Sequence, residues 1–219
     1  MKIAFLTKKK KPGVPEAIKY LNQRGHLVDV FYGDAQSTFP KEIFKKKYHI
    51  LVSYISNWII PADILNTTKL WNINFHPGPP EYPGTGCFNF AIYNDEDFYG
   101  GTAHLMNKSV DSGKIIGVNR FKMNNYETVQ SLSEKTYKAL LVLFKNVFNH
   151  IFEKKSLPKS SEKWKRKPYM RSDLEKLATL DPNMSLNQIK KIIRATYYPS
   201  KPAPFIEIKG LKFEYNPDR

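Results

Sequence analysis

The chain opens MKIAFLTKKKKPGVPEAIKYLNQRGHLVDVFY, residues 1–32, and this stretch decides the fold. Lys2–Thr7 is a short apolar run broken by Lys8 and Pro12, the pattern of a buried strand reaching its carboxyl end. Val14–Asn22 follows with helical spacing and is closed by Arg24 and Gly25. Residues 26–32 then alternate well enough for a second strand, which Gly33 and Asp34 end. Strand, helix and strand in that order build a βαβ unit around a parallel pair.

The same grammar continues. Strands are expected at residues 49–55 and 70–75, a short helix at 87–94, and strands at 101–107 and 114–123. Residues 127–152 place Val129, Leu132, Leu140, Phe144, Val147, Phe148 and Ile151 at helical spacing, so one long amphipathic helix should cross the sheet with its aromatic residues in the core. Residues 154–171 hold eight basic residues and one acidic one without periodicity, and read as a linker. Beyond it, Ser185 and Gln188 form a capping-box pattern that opens a helix to Arg194, and residues 205–215 read as a hairpin turning at Lys209-Gly210. The expected fold class is therefore α/β: a Rossmann-like, mostly parallel sheet with helices on both faces, plus a small C-terminal helix and β-hairpin tail. Residues 1–154 would form the main domain, and 155–219 the linker, helix and hairpin.

Bulk properties bound the function. With 219 residues, 41% hydrophobic and 25% charged, the chain can bury its own core. The N-terminal apolar run is too short and its charges fall on the wrong side for a secretory signal. No run approaches the ~18 apolar residues of a membrane span. A single cysteine, Cys87, forms no internal disulfide, which fits a reducing cytoplasmic home. The formal charge of +15 favours phosphate-bearing partners, or simply solubility.

The candidate chemistry sits in NINFHPGPPEYPG, residues 72–84, and HLMNKSVDSGKII, residues 104–116. Asn74 and His76 lie two apart at a strand end, so both side chains point into one crevice. When an amine attacks a carbonyl, the carbonyl oxygen gains negative charge and the nitrogen must shed a proton. Asn74 can donate to that oxygen, His76 can accept or relay the proton, and Asp111 can fix the imidazole tautomer. On residue types alone, His76 could equally be a hydrogen-bonded structural histidine.

These two motifs, in this order and separation, resemble the catalytic domain of the folate-dependent formyltransferases over residues 2–154. The resemblance implies a Rossmann-like domain, an active set of Asn74, His76 and Asp111, and N10-formyltetrahydrofolate as formyl donor, with no metal. Ser56 to Pro61 (SNWIIP) matches the family's pterin-pocket stretch, so Asn57, Trp58 and Ile59 are carried over as donor-binding residues, with Val110, Asp111 and Gly113 completing the pocket. His104, in TAH, matches a family histidine and is expected to support the network. Cys87 reads as an inert small side chain.

Within that family the glycine- and serine-rich phosphate loop of the glycinamide ribonucleotide enzymes is replaced here by TKKKKPGVP. The tail after Phe152 carries helix and hairpin signals where methionyl-tRNA formyltransferases carry a β-barrel domain. The residues 194–210, RATYYPSKPAPFIEIKG, are similar to the C-terminal motif of short sugar N-formyltransferases. The implied acceptor is a nucleotide-linked amino dideoxysugar, on dTDP or GDP, destined for surface polysaccharide. Lys8, Lys9 and Lys10 are then candidates for the diphosphate, with a solvated turn as their alternative, and Tyr82 for the sugar. Tyr197 and Tyr198 would either stack on the base or pack the tail. A homodimer through the hairpin is expected, with neither nucleic acid nor membrane as partner. The alternatives are a methionyl-tRNA formyltransferase-like enzyme lacking the usual C-terminal domain, or an inactive basic nucleic-acid-binding module.

Overall fold

The computed structural model describes residues 1–34, 36–199 and 201–218. Six strands share one sheet: β1 (Lys2–Thr7), β2 (Leu27–Tyr32), β3 (Ile50–Tyr54), β4 (Trp71–His76), β5 (Phe98–Leu105) and β6 (Ile115–Lys122), in the order β2-β1-β3-β4-β5-β6. The first four are parallel, and β5 and β6 extend the sheet antiparallel. The chain places β2 on one side of β1 and β3 on the other. That reversal opens a crevice outside the carboxyl ends of β1 and β3, where ligands of open α/β sheets bind.

Period-two alternation sorts the sheet's side chains. Ile3 and Phe5 of β1, Val52 and Tyr54 of β3, and Ile73 and Phe75 of β4 face one core, covered by α1 (Val14–Asn22) and α4 (Val129–Lys154). Ala4, Leu6 and Leu51 face the other way, against Ile43 of a short 3₁₀ turn and Ile64 of α2 (Ala62–Thr67). Phe144 of α4 is fully buried, and its ring lies 4.6 to 6.1 Å from those of Phe148, Phe75, Tyr54, Phe5 and Tyr20. The core thus knits β1, β3, β4 and α1 to a single helix. That helix starts on a reciprocal cap, in which Ser131 N–H donates to Thr128 Oγ1 at 3.2 Å and Thr128 N–H donates to Ser131 Oγ at 3.0 Å.

Helix α3 (Cys87–Tyr93) follows the proline-rich loop, as expected. The tail contains α5 (Arg171–Ala178), β7 (Thr179–Leu180), α6 (Leu186–Thr196), β8 (Phe205–Ile208) and β9 (Leu211–Glu214). Lys209 and Gly210 turn the hairpin at φ of 51° and 79°, the left-handed pair that a two-residue hairpin turn demands.

Three expectations change. Strand β5 begins at Phe98 instead of residue 101, because Gly100 and Gly101 sit inside it. A Cβ on Gly101 would lie 2.5 Å from Leu140 and one on Gly100 2.1 Å from Asn119 O, so these glycines mark close approach and not a break. Helices α2 and α5, which are short, were not anticipated. The presumed linker is no spacer: Gly84 and Tyr169 form a parallel bridge, and Lys165 N–H donates to Pro80 O at 3.0 Å. It runs as a strap across the loop that follows β4.

Candidate active site

With Ile73 and Phe75 committed to the core, alternation turns Asn74 and His76 to the opposite face of β4. His104 sits directly across from Asn74 in the antiparallel β4–β5 register. Asp111 comes from the loop between β5 and β6, at φ 40°, a left-handed conformation uncommon for a residue with a side chain.

These four residues form one hydrogen-bonded set. Asp111 Oδ2 lies 3.1 Å from His76 Nδ1 and accepts from Gly84 N–H at 2.9 Å. Its other oxygen lies 3.2 Å from both Asn74 Nδ2 and His104 Nε2. Asn74 Nδ2 is also 3.0 Å from His104 Nε2. His104 Nδ1 faces Leu105 O at 2.8 Å, and His76 Nε2 faces Tyr82 O at 2.9 Å.

Proton positions follow from which atoms can only accept. Leu105 O can only accept, so His104 carries its proton on Nδ1, and Nε2 is free to take one from Asn74. The second Asn74 hydrogen goes to Asp111 Oδ1. Both Asn74 donors are therefore engaged, and only its carbonyl oxygen is left over. This changes the expectation that Asn74 donates to a developing oxyanion: to do so it must release one of these bonds. Both His76 nitrogens face acceptors, so the closed site is fully hydrogen-bonded when both carry protons.

Burial alone would raise the Asp111 carboxyl. The charge on His76, the neighbouring His104 and the Gly84 amide outweigh it and hold the group well below the usual carboxylate range. Cys87 is the opposite case: burial pushes its thiol up to about 11, which leaves it inert.

The set lines a cavity of about 610 Å³ at the carboxyl ends of β1, β3 and β4, the crevice that the strand order opens. Residues 36–143 match the family model described as "Formyl transferase". That match takes in just under half of the chain. The GDP-perosamine N-formyltransferase of Brucella melitensis biotype 1 is 27% identical over 162 residues, covering 74% of this chain and 61% of that protein. Across four curated relatives, among them a methionyl-tRNA formyltransferase of Clostridium tetani, the chain spans only 27 to 61% of their length. A sugar N-formyltransferase from Shewanella sp. superposes with a TM-score of 0.78 at 20% identity, over 98% of this chain and 96% of that one. The N-formyltransferase of Helicobacter canadensis, solved with folinic acid and dTDP-3-aminofucose, superposes at 0.72 and 18% identity, over 97% of this chain and 86% of that one. At these identities the superpositions establish a shared fold.

The fold brings some of the expected binding residues to the cavity and leaves others away from it. Asn57, Trp58, Ile59, Val110 and Lys8 line it. Trp58 is pinned as a wall: its Nε1 donates to Ser37 O at 2.9 Å, and its ring lies where a Cβ on Gly33 would come within 2.2 Å. Ile59 is 74% exposed at the rim. Gly113 sits behind the site, because its Cα packs on Leu105 O, which a Cβ would meet at 1.7 Å. Lys9 and Lys10 are exposed outside the lining.

The structure corrects Tyr82 and places Tyr197 and Tyr198 in the tail. The Tyr82 side chain is buried away from the cavity, its hydroxyl donating to Glu96 Oε1 at 2.5 Å and accepting from Asn94 at 2.9 Å, so only its carbonyl serves the site. Tyr197 packs edge-on to Tyr215 at 5.8 Å, and Tyr198 packs against the α3 core.

Sequence reasoning missed Gly84, Tyr137 and Trp164. Gly84 has φ 86°, and a Cβ there would meet Tyr169 O at 2.3 Å; the sole signal was its place in PGTG. Tyr137 hid among the α4 core positions although it lines the cavity, and Trp164 hid in an aperiodic basic run. Among the described residues, no group of three or more acidic, histidine or cysteine side chains is arranged to hold a metal ion, and no helix is long and apolar enough to cross a membrane.

Removing the carboxylate should expose how much it organises. Asp111→Ala leaves the Gly84 amide, the His76 imidazole and Asn74 short of an acceptor, and should destabilise by about 3–5 kcal/mol at neutral pH in urea titrations. Because the folded carboxyl is lowered, its contribution is complete above the ordinary value of 3.8 and fades only as the pH falls through the folded value. The gap between wild type and variant should therefore persist at pH 5 and narrow in stronger acid; a gap already closed at pH 5 would contradict the buried network.

Proposed function

We propose that this chain transfers a formyl group from N10-formyltetrahydrofolate to the amine of a nucleotide-linked amino dideoxysugar, with dTDP as the carrier and the product destined for surface polysaccharide. The observation that carries this reading is the Asn74, His76, His104 and Asp111 set on the wall of a cavity that also receives a lysine. The name of the Brucella relative and the ligands of the Helicobacter complex support the acceptor class.

The donor side fits the cavity's chemistry. Ile55, Trp58, Met106 and Val110 provide apolar walls for a flat heterocycle, while the strand ends and the 107–111 loop provide backbone polar groups. When bound, a formyl-folate supplies a formyl carbon attached to a nitrogen that can leave as an amine. The chain's residues must then orient the attacking sugar nitrogen, manage its proton and tolerate charge on the formyl oxygen. The free carbonyl of Asn74 is suited to accept a hydrogen from the incoming amine, which aligns its lone pair on the formyl carbon. A new carbon–nitrogen bond forms as the old one breaks. His76 hands a proton to the departing nitrogen and takes up the one shed by the sugar nitrogen, so that the ring ends as it began. To reach either atom, His76 Nε2 must exchange its contact with Tyr82 O. Asp111 keeps the ring oriented and its charge balanced.

The acceptor side carries charge for a diphosphate. Lys8 lines the cavity, while Lys11 and Lys201 lie close enough to act on it, and burial together with these two neighbours lowers the Lys8 ammonium to about 8. A diphosphate would reverse that, since its negative charge favours the ammonium. The exposed tail supports assembly as a homodimer: β9 is an edge strand, and Leu211 and Phe213 are 63% and 52% exposed on the hairpin.

Mass spectrometry should detect one added formyl group on a dTDP-linked 3-amino or 4-amino dideoxysugar incubated with the protein and N10-formyltetrahydrofolate. His76→Ala should lower kcat/KM by about 10²–10⁴-fold. Formylation of methionyl-tRNA in place of any dTDP- or GDP-linked amino sugar would overturn the acceptor assignment. The acceptor KM should rise as the pH passes about 8, where free Lys8 loses its proton, and Lys8→Ala should raise it at neutral pH and flatten that dependence; an unchanged KM in Lys8→Ala would remove Lys8 from the phosphate site. Light scattering should give twice the monomer mass, and Phe213→Glu should return a monomer; a wild-type monomer at micromolar concentration would refute the hairpin interface.

A further inference from the structure

The strap of residues 160–170 is the part of the molecule that the proposed chemistry leaves unused, yet it touches the active site from behind. Trp164 Nε1–H donates to Gly113 O at 2.8 Å, two residues from Asp111. Its ring stands edge-on to both imidazoles, with centroids 5.1 Å from His104 and 6.0 Å from His76. We infer that Trp164 is a positioning residue, which fixes the Asp111 loop and screens the two histidines from water, so that the strap belongs to the catalytic machinery.

The loop needs such a brace. Asp111 occupies a left-handed backbone conformation that its own side chain disfavours, and its carboxylate must reach groups on β4, on β5 and at Gly84 at once. Gly113 is held from one side by Leu105 O, against which its Cα is packed, and from the other by the Trp164 indole. A ring edge over the imidazoles also displaces solvent from their bonds to Asp111, where a low local dielectric strengthens each bond.

The strap itself is anchored to the other loop of the site. Lys165 N–H donates to Pro80 O at 3.0 Å, Tyr169 N–H to Pro83 O at 2.9 Å, and Thr85 N–H to Tyr169 O at 2.9 Å. The Tyr169 ring stacks on Phe90 with centroids 3.6 Å apart. These bonds bracket Tyr82 and Gly84, which supply the carbonyl facing His76 and the amide facing Asp111. One segment therefore sets both loops whose relative position defines the hydrogen bonds of His76 and Asp111.

This inference rests on the proposed formyl transfer for its kinetic readout and is independent of it for its spectroscopic one. In Trp164→Phe the ring remains and the indole N–H is lost. Its downfield imidazole N–H proton signal from the His76–Asp111 pair should shift or broaden, while exposed Lys163→Ala leaves that signal as in wild type. The variant's kcat should fall by about tenfold or more with both KM values within about threefold, as expected of misplacement without lost binding. Unchanged imidazole signals with unchanged kcat would overturn the inference. So would a rise in KM alone, or an activity loss no larger than the unfolded fraction seen by circular dichroism. If Trp164→Phe fails to fold, Trp164→Tyr decides by the same criteria. A shifted imidazole signal in a protein that formylates no amino sugar would support the positioning role and count against the acceptor assignment instead.

Discussion

A single buried carboxylate sets the terms for the rest of this structure. Asp111 is ionised, nearly out of reach of water, and mounted on a backbone conformation that its side chain disfavours. Such a group is tolerable only if every oxygen is met by donors in fixed places. Here the donors come from β4 and from the Gly84 amide, with His104 of β5 packed alongside. Because they belong to separate elements, the carboxylate is satisfied only when the sheet, the proline-rich loop and the strap are assembled together. Local structure, packing and the site's electrostatics are therefore one problem, and this explains why glycine is needed at residues 84 and 113, where a Cβ would strike Tyr169 O or Leu105 O.

The sheet supplies the precision that the loops lack. Alternation along β4 commits Ile73 and Phe75 to the aromatic core around Phe144, and a slip of one residue would drive Asn74 and His76 into that core. The hydrophobic burial that stabilises β4 thus fixes the direction of its polar face. Antiparallel pairing then sets His104 opposite Asn74. The position of the cavity follows from topology, since the strand order reverses between β1 and β3 and opens a crevice at their carboxyl ends.

Much of this was legible in the sequence, for reasons that differ by element. The strands and α4 were readable because burial imposes a period, and the hairpin turn because Lys209-Gly210 carries the left-handed backbone its geometry needs. The pair Asn74 and His76 was readable because period two works at a strand end. Asp111 was readable as a candidate carboxylate in the second motif, but family resemblance was needed to put it in the active set, since nothing in its spacing reveals which loop residue folds back over β4. The strap was illegible because its structure comes from bonds to distant carbonyls at Pro80, Pro83 and Gly113, which leave no periodic trace. Tyr82, Lys9 and Lys10 misled for a related reason: a residue type near the site in sequence says where its Cα lies and not which way its side chain goes. Glu96 draws the Tyr82 hydroxyl to the far side of its loop, and Lys9 and Lys10 turn out to solvent where Lys8 turns in.

The two histidines show why residue type underdetermines role. Both contact Asp111, and both lie under Trp164. His104 is closed on itself: Nδ1–H goes to the neighbouring carbonyl of Leu105, and Nε2 accepts from Asn74, so a neutral ring satisfies both of these partners. His76 has acceptors on both sides, one the ionised carboxylate of Asp111 and the other the neutral carbonyl of Tyr82. The weaker of these two bonds is the one a substrate can replace, because a neutral acceptor holds a proton less firmly than an ionised one. Proton transfer is thereby confined to one nitrogen of one ring. The division of labour is written in the second partner of each imidazole, which is a backbone atom in both cases and therefore invisible to any reading of side chains alone.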